Sequence, residues 1–382
     1  VAARWQQDVD RWLENGVIDS AAAAGCRACA PRRGPATGLS WPVRLAIAFG
    51  GLLLAAGVLL FVAAHWDALS PAVRFTLVLF LVALFHVAAA LTASRFTVLA
   101  TTLHAVGTVC LGAGIFLAGQ IFNLQGHWHG GLMLWSIGAC VSFGLLRDWP
   151  QAALVALLLP AWFAGEWIDA TRHFSFSEKP LVQGLLLLSI TYLTASMPGK
   201  DSSLRKTLVV IGALEILPFA AWTGIDMDRT WQRAAIPATL QISGWLTAFA
   251  LPLLLAWRLR GPAVRWNLLA ALWVVLLGST GMAASYPSTP GHFWRELGPY
   301  LLWSVGAIGL TAWGLREGRK ERVNLGIAGF ALTVIAFYFS TVMDKLGRSV
   351  SLIGMGMLFL FGGWLLEKTR RRLLQRLEQD RT

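Results

Sequence analysis

Apolar runs of about 20 residues recur along the chain, separated by short polar connections, and no other feature restricts the possible folds so severely. A helix rises about 1.5 Å per residue, so about 20 apolar residues match the ~30 Å hydrocarbon core of a bilayer. About twelve spans are predicted on that basis, at roughly 44–64, 73–92, 97–118, 130–146, 151–168, 181–197, 204–223, 236–257, 266–284, 297–315, 323–343 and 349–366. The expected fold is all-α, a polytopic integral membrane bundle over residues 44–366. Residues 1–43 and 367–382 flank it, and no connection is long enough to hold a soluble catalytic domain. Composition agrees: 14% of the 382 residues are charged, against about 25% in soluble domains. The 19 tryptophans suit two membrane–water interfaces, where an indole buries its ring and keeps its N–H wet.

The net charge of +12 is spread over connections rather than gathered in a patch for nucleic acid, and no nucleic-acid partner is expected. With the N-terminus inside, the inner segments hold 24 of the 32 Lys and Arg residues and the outer loops 8. That excess predicts both termini in the cytoplasm. The first 40 residues read as amphipathic rather than as a secretory signal, and the first apolar run begins near Leu45. Four cysteines make no disulfide framework, and the Cys26-x-x-Cys29 pair lacks partners for zinc.

Trp5, Val9, Trp12 and Leu13 share one helical face, and "ENG" (Glu14 to Gly16) ends that helix. Asp19 or Ser20 is expected to cap a second short helix, giving a cytoplasmic hairpin that rests on the bilayer or docks a protein partner. "PRRGPATG" (Pro31 to Gly38) is a linker. The tail "EKTRRRLLQRLEQDR" (Glu367 to Arg381) anchors the last helix and attracts anionic lipid.

Ionisable residues inside spans are the candidates for function, because burial in lipid demands a partner or a water-filled cavity. Glu215 lies near the middle of the seventh span, with Pro218 three residues on, and a helix broken beside a buried carboxyl would suit a proton-coupled transporter. His86 and His104 fall at matching depths on the second and third spans, so they are placed to touch and to relay a proton. A third group lies toward the outer face: His65, Asp67, Gln120, Asn123, His127, His129, Glu166 and Asp169. His127-x-His129 supplies only two ligands, so no metal site and no cofactor are assigned. The segment Gly119 to Gly130 is apolar enough to be re-entrant. In "FVAAHWDALSPAVR" (Phe61 to Arg74), Trp66 marks the interface and Asp67 is placed to cap the turn before Ser70-Pro71. Gly107, Gly112, Gly114 and Gly119 indicate close helix packing. No HExxH, GxSxG, P-loop or dinucleotide-binding glycine motif is present, and no catalytic residue is assigned.

Four stretches together carry a resemblance: "RWLENGVIDSAAA" (Arg11 to Ala23), "GGLLLAAGVLLFVAAHWDALSPAVR" (Gly50 to Arg74), "AGQIFNLQG…LMLWSIGA" (Ala118 to Ala139) and "FYFSTVMDKLGRSVSLIGMGMLFLFGGWLLEKTRRRLL" (Phe337 to Leu374). They resemble the bacterial predicted-membrane-protein family known as domain of unknown function two-one-five-seven. The resemblance implies a membrane location and a helical fold, and no chemistry. Where that family is expected to carry asparagine before Trp-Asp, this chain has His65. Three functions remain open on the residues: transport or flipping of a small or lipid-like solute, scaffolding through the N-terminal hairpin, and a membrane enzyme with an outer-face site. The absence of an internal repeat weighs against the first.

Overall fold

The computed structural model describes residues 15–29, 70–121, 128–174, 179–197, 202–223, 236–284 and 292–339, position 9, positions 12 and 13, and parts of 45–60 and 353–368. The chain divides into two compact units, Val1–Ala56 and Gly57–Thr382.

In the first unit Gly16 takes the left-handed conformation (φ 66°) that glycine adopts without penalty. Its N–H bonds the Leu13 carbonyl, and the Val17 N–H bonds that of Trp12, the paired arrangement that closes a helix end. Asp19 then caps helix α1 (Ser20–Cys29), its Oδ1 accepting from the Ala22 N–H at 2.6 Å. Of the face expected to be apolar, Val9 is buried and Leu13 half-buried, whereas Trp12 is exposed. Trp5 and the Pro31–Gly38 linker lie outside the described residues.

The second unit holds α2 (Pro71–Thr92), α3 (Thr97–Ile121), α4 (Trp128–Leu146), α5 (Trp149–Thr171), α6 (Lys179–Leu193), α7 (Ser203–Trp222), α8 (Ala238–Arg260), α9 (Arg265–Ala284), α10 (His292–Arg316) and α11 (Lys320–Phe337). Among the described residues no strand forms. Side chains of Ser70, Asp148 and Ser202 cap α2, α5 and α7 by accepting from backbone N–H groups three residues on. Asp67, expected to cap the turn before Ser70-Pro71, lies outside the described residues. The broken helix expected at Pro218 does not occur: α7 runs unbroken from Ser203 to Trp222. Proline costs one donor, and packed neighbours hold the remaining ladder in place.

Contacts fix the direction of each helix. Val78 meets Gly114 and His86 meets Gly107, so α2 and α3 are antiparallel. Phe116 faces Gly131 and Leu111 faces Gly138, which reverses α4, and Gly165 against His129 reverses α5. Ala195 takes the Arg205 side chain while Ser189 meets Glu215, so α7 runs against α6. Gly184 meets Ala248 and Thr191 meets Pro252, so α8 runs with α6. Asn267 meets Thr194 and Gly278 meets Gln183, so α9 runs against it. Tyr192 reaches the Ala156 carbonyl and Trp167 packs on Gly244, which sets α5 against α6. Trp273 against Leu302 and Thr311 against Gly326 complete the alternation through α10 and α11. Ten successive helices therefore alternate in direction, as the threading predicts. The first and twelfth expected spans are helical at the positions described and are otherwise outside them.

Among the described residues, five stretches are long and apolar enough to cross a membrane: Pro71–Thr92, Thr97–Gln120, Trp128–Leu146, Trp149–Thr171 and Ala238–Ser279. The last, at 42 residues, is twice the length one crossing needs. It folds back at Gly261 (φ 60°) and Pro262, where a short 3-10 turn joins α8 to α9. Large apolar side chains point outward on these helices, among them Phe80, Leu91, Leu145, Phe163 and Leu254. A protein surface this apolar calls for a nonpolar surround. The core is centred on α6, a 15-residue helix of which most residues are buried against α5, α7, α8 and α9. Leu186, Leu187, Ile190 and Leu193 form its heart with Ile216, Val274 and Leu277.

Candidate functional site

His86 on α2 and His104 on α3 are brought together as their depths predict, with Nδ1 to Nδ1 at 2.9 Å and ring centroids 5.2 Å apart. Two neutral imidazoles at that distance share one proton, the N–H of one entering the lone pair of the other. Gly107 permits the approach, since a Cβ there would sit 2.9 Å from the His86 ring. The Thr108 hydroxyl bonds the His104 carbonyl at 3.1 Å, and the Trp135 indole N–H bonds the Thr108 carbonyl at 2.9 Å, tying α4 to the same turn. Gly112 and Gly114 seat Trp135 and Val78, as their spacing implies, whereas nothing packs on Gly119. Asp148, in the connection between α4 and α5, lies within electrostatic reach of His104. Burial raises its carboxyl above the ordinary range, against the opposing pull of the Gln151 N–H and His104.

Glu215 is half-buried on α7, and its Oε2 is 3.4 Å from the Ser189 hydroxyl on α6. That hydroxyl also donates to the Leu185 carbonyl at 2.8 Å. Glu215 belongs to a different part of the bundle from the histidine pair, and no hydrogen bond among the described residues joins them.

At the opposite end of α4 and α5, buried His129 approaches Glu166 at 3.4 Å, and the Trp162 indole N–H donates to Glu166 at 2.9 Å. Gln120 is exposed at the end of α3. His65, Asp67, Asn123 and His127 lie outside the described residues. Of the outer cluster, then, the structure unites His129 and Glu166. Among the described residues no group of three or more His, Cys, Asp or Glu is placed to hold a metal.

A further cluster escaped the sequence reading. The carbonyls of Thr194, Ala195 and Ser196, at the exit of α6, each receive a different arginine: Arg260 at 2.5 Å, Arg205 at 2.5 Å and Arg322 at 2.8 Å. Glu317 bridges two of them, Arg260 and Arg322 both at 2.5 Å, and accepts from the Trp313 indole N–H at 2.6 Å. Trp313 also lies under both guanidinium groups, at 5.1 and 5.6 Å from its ring. Arg260 and Arg322 are almost fully buried. Burial alone would raise the Glu317 carboxyl, but the Arg260, Arg322 and Trp313 donors outweigh it and hold the group below its usual range. The signal in the sequence was a pair of glutamates, Glu317 and Glu321, among the basic residues of Arg258–Arg265 and Arg316–Arg322.

Alternating apolar helices with outward-facing leucines and phenylalanines define a helical membrane protein. Residues 10–151 match the model of a family described as Predicted membrane protein (DUF2157), which is the resemblance read from the sequence. No curated protein and no solved structure matches the chain.

Proposed function

We propose that this protein sits in the cytoplasmic membrane of a bacterium, with both termini inside, and moves a small or lipid-like solute across it in step with protons. The observation that carries this reading is the 2.9 Å contact between His86 and His104. A second proton would turn the accepting nitrogen into a donor, leaving two N–H groups face to face. The rings must then part, and α2 and α3, held close at Gly107, must shift with them. Protonation is in this way tied to helix packing, which is what coupling requires. Asp148 supplies a carboxylate toward one end of the path, and Glu215 a second ionisable group deeper in the bundle.

The test uses purified protein in liposomes that enclose a pH-sensitive dye, with a potassium diffusion potential as driving force. Wild type should admit protons faster than protein-free vesicles, and His86→Gln and His104→Gln should return the rate to that baseline while keeping the native melting profile. Equal rates in wild type, both variants and empty vesicles would overturn the reading.

A scaffolding role is favoured by a separate observation: residues 1–56 form their own compact unit, with Trp12 and Val17 exposed on it. Deleting residues 1–38 would abolish that role and leave proton movement intact.

A further inference from the structure

The α8–α9 hairpin and the end of α10 gather positive charge that the protein does not neutralise. Arg258, Arg265 and Arg316 are exposed, and none of the three makes an ion pair among the described residues. Arg265 and Arg316 come from different helices, yet both rest on one indole, 5.8 and 4.8 Å from the Trp266 ring. Trp266 in turn packs against Trp313 at 6.4 Å, and Trp313 carries buried Arg260 and Arg322. Four guanidinium groups thus contact two indoles tilted against each other, and Glu317, the carboxylate bonded to two of them, has both oxygens already taken by Arg260, Arg322 and Trp313. Like charges on one ring repel, and a phosphodiester is the group whose charge and spread of oxygens joins two guanidinium forks.

Position selects the source of that phosphate. The turn Gly261–Val264 closes two apolar helices, so Arg258 and Arg265 stand where hydrocarbon gives way to headgroups. Exposed Trp257 and Leu268 border them and offer apolar contact to acyl chains. We propose that Arg258, Arg265, Arg316 and Trp266 form a binding site for the headgroup of an anionic phospholipid. The site is independent of the transport reading and uses other residues than the basic tail after Glu367, which is expected to attract anionic lipid by its charge.

Native mass spectrometry of the full chain, released from nanodiscs of phosphatidylcholine with a minor fraction of phosphatidylglycerol, tests it. Wild type should retain phosphatidylglycerol well above its share of the bilayer. Arg265→Gln with Arg316→Gln should lower that retention roughly 30-fold, taking about 1 kcal/mol for each basic residue lost. Arg95→Gln with Lys206→Gln removes the same charge from elsewhere and should leave retention near wild type. Equal losses in the two double variants would overturn the proposal by showing a diffuse field alone. Displacement of the lipid by inorganic phosphate at millimolar concentration would also overturn it, since the site would then be one for the free ion.

Discussion

The arginine cluster at the exit of α6 and the histidine pair between α2 and α3 are both polar groups enclosed by apolar helices, and they are built on opposite plans. Around Glu317 the hydrogen-bonding capacity is heavily used: two guanidinium groups, an indole N–H and two helix-end carbonyls meet within 2.5–2.8 Å. His86 and His104 face each other across one bond that a single proton reverses. The first arrangement has one low-energy state, because any change of protonation strands a buried charge. The second, on the function proposed above, would have two, and the difference between them would reach helix packing at Gly107. Burial of charge thus marks the fixed part of the molecule, and partial satisfaction marks the part free to switch.

The sharpest way to break that contrast is Glu317→Ala. It leaves Arg260 and Arg322 buried without their counter-ion and should cost about 3–5 kcal/mol, seen as a large fall in melting temperature in detergent. A fall no larger than that of a surface variant would erase the distinction. Gly212→Ala comes next, at about 1–3 kcal/mol, because its Cβ would strike the backbone of Leu193 and Ser189, which cannot move aside as a side chain can. A smaller effect comes from acid. Glu317 has a folded-state pKa below its unfolded value, so its contribution is complete above about pH 4.3 and is lost as pH falls through the folded value. Melting curves from pH 6 to pH 3 should show this loss in wild type and a flatter dependence in Glu317→Gln. Least of all in stability is His86→Gln, expected to shift unfolding by less than about 1 kcal/mol while abolishing proton movement. A large destabilisation there would place the pair with the fixed elements instead.

Much of this was legible beforehand, for reasons that can be named. The reversal of direction at each connection followed from run length and from basic residues alternating between the two sides. The His86–His104 contact followed from equal depth on antiparallel neighbours. The arginine cluster was invisible because helices distant in sequence supply it: Arg205, Arg260 and Arg322 each look like an ordinary loop charge until α6 places three carbonyls among them. Pro218 misled in the other direction. A proline removes one hydrogen bond from the ladder, and whether the helix then breaks is decided by packing around it, which spacing does not reveal.

At about 1.5 Å per residue, the 15 residues of α6 span about 22 Å, against a hydrocarbon thickness of about 30 Å. Guanidinium groups reach inward to meet its end, carrying polar matter below the headgroup level. A voltage across a lipid sheet falls mainly over its least polar layer, and along α6 that layer is at its thinnest. In an energised membrane the field would then be steepest along α6, and Glu215, which meets Ser189 on that helix, would feel more of it than ionisable groups on the longer helices.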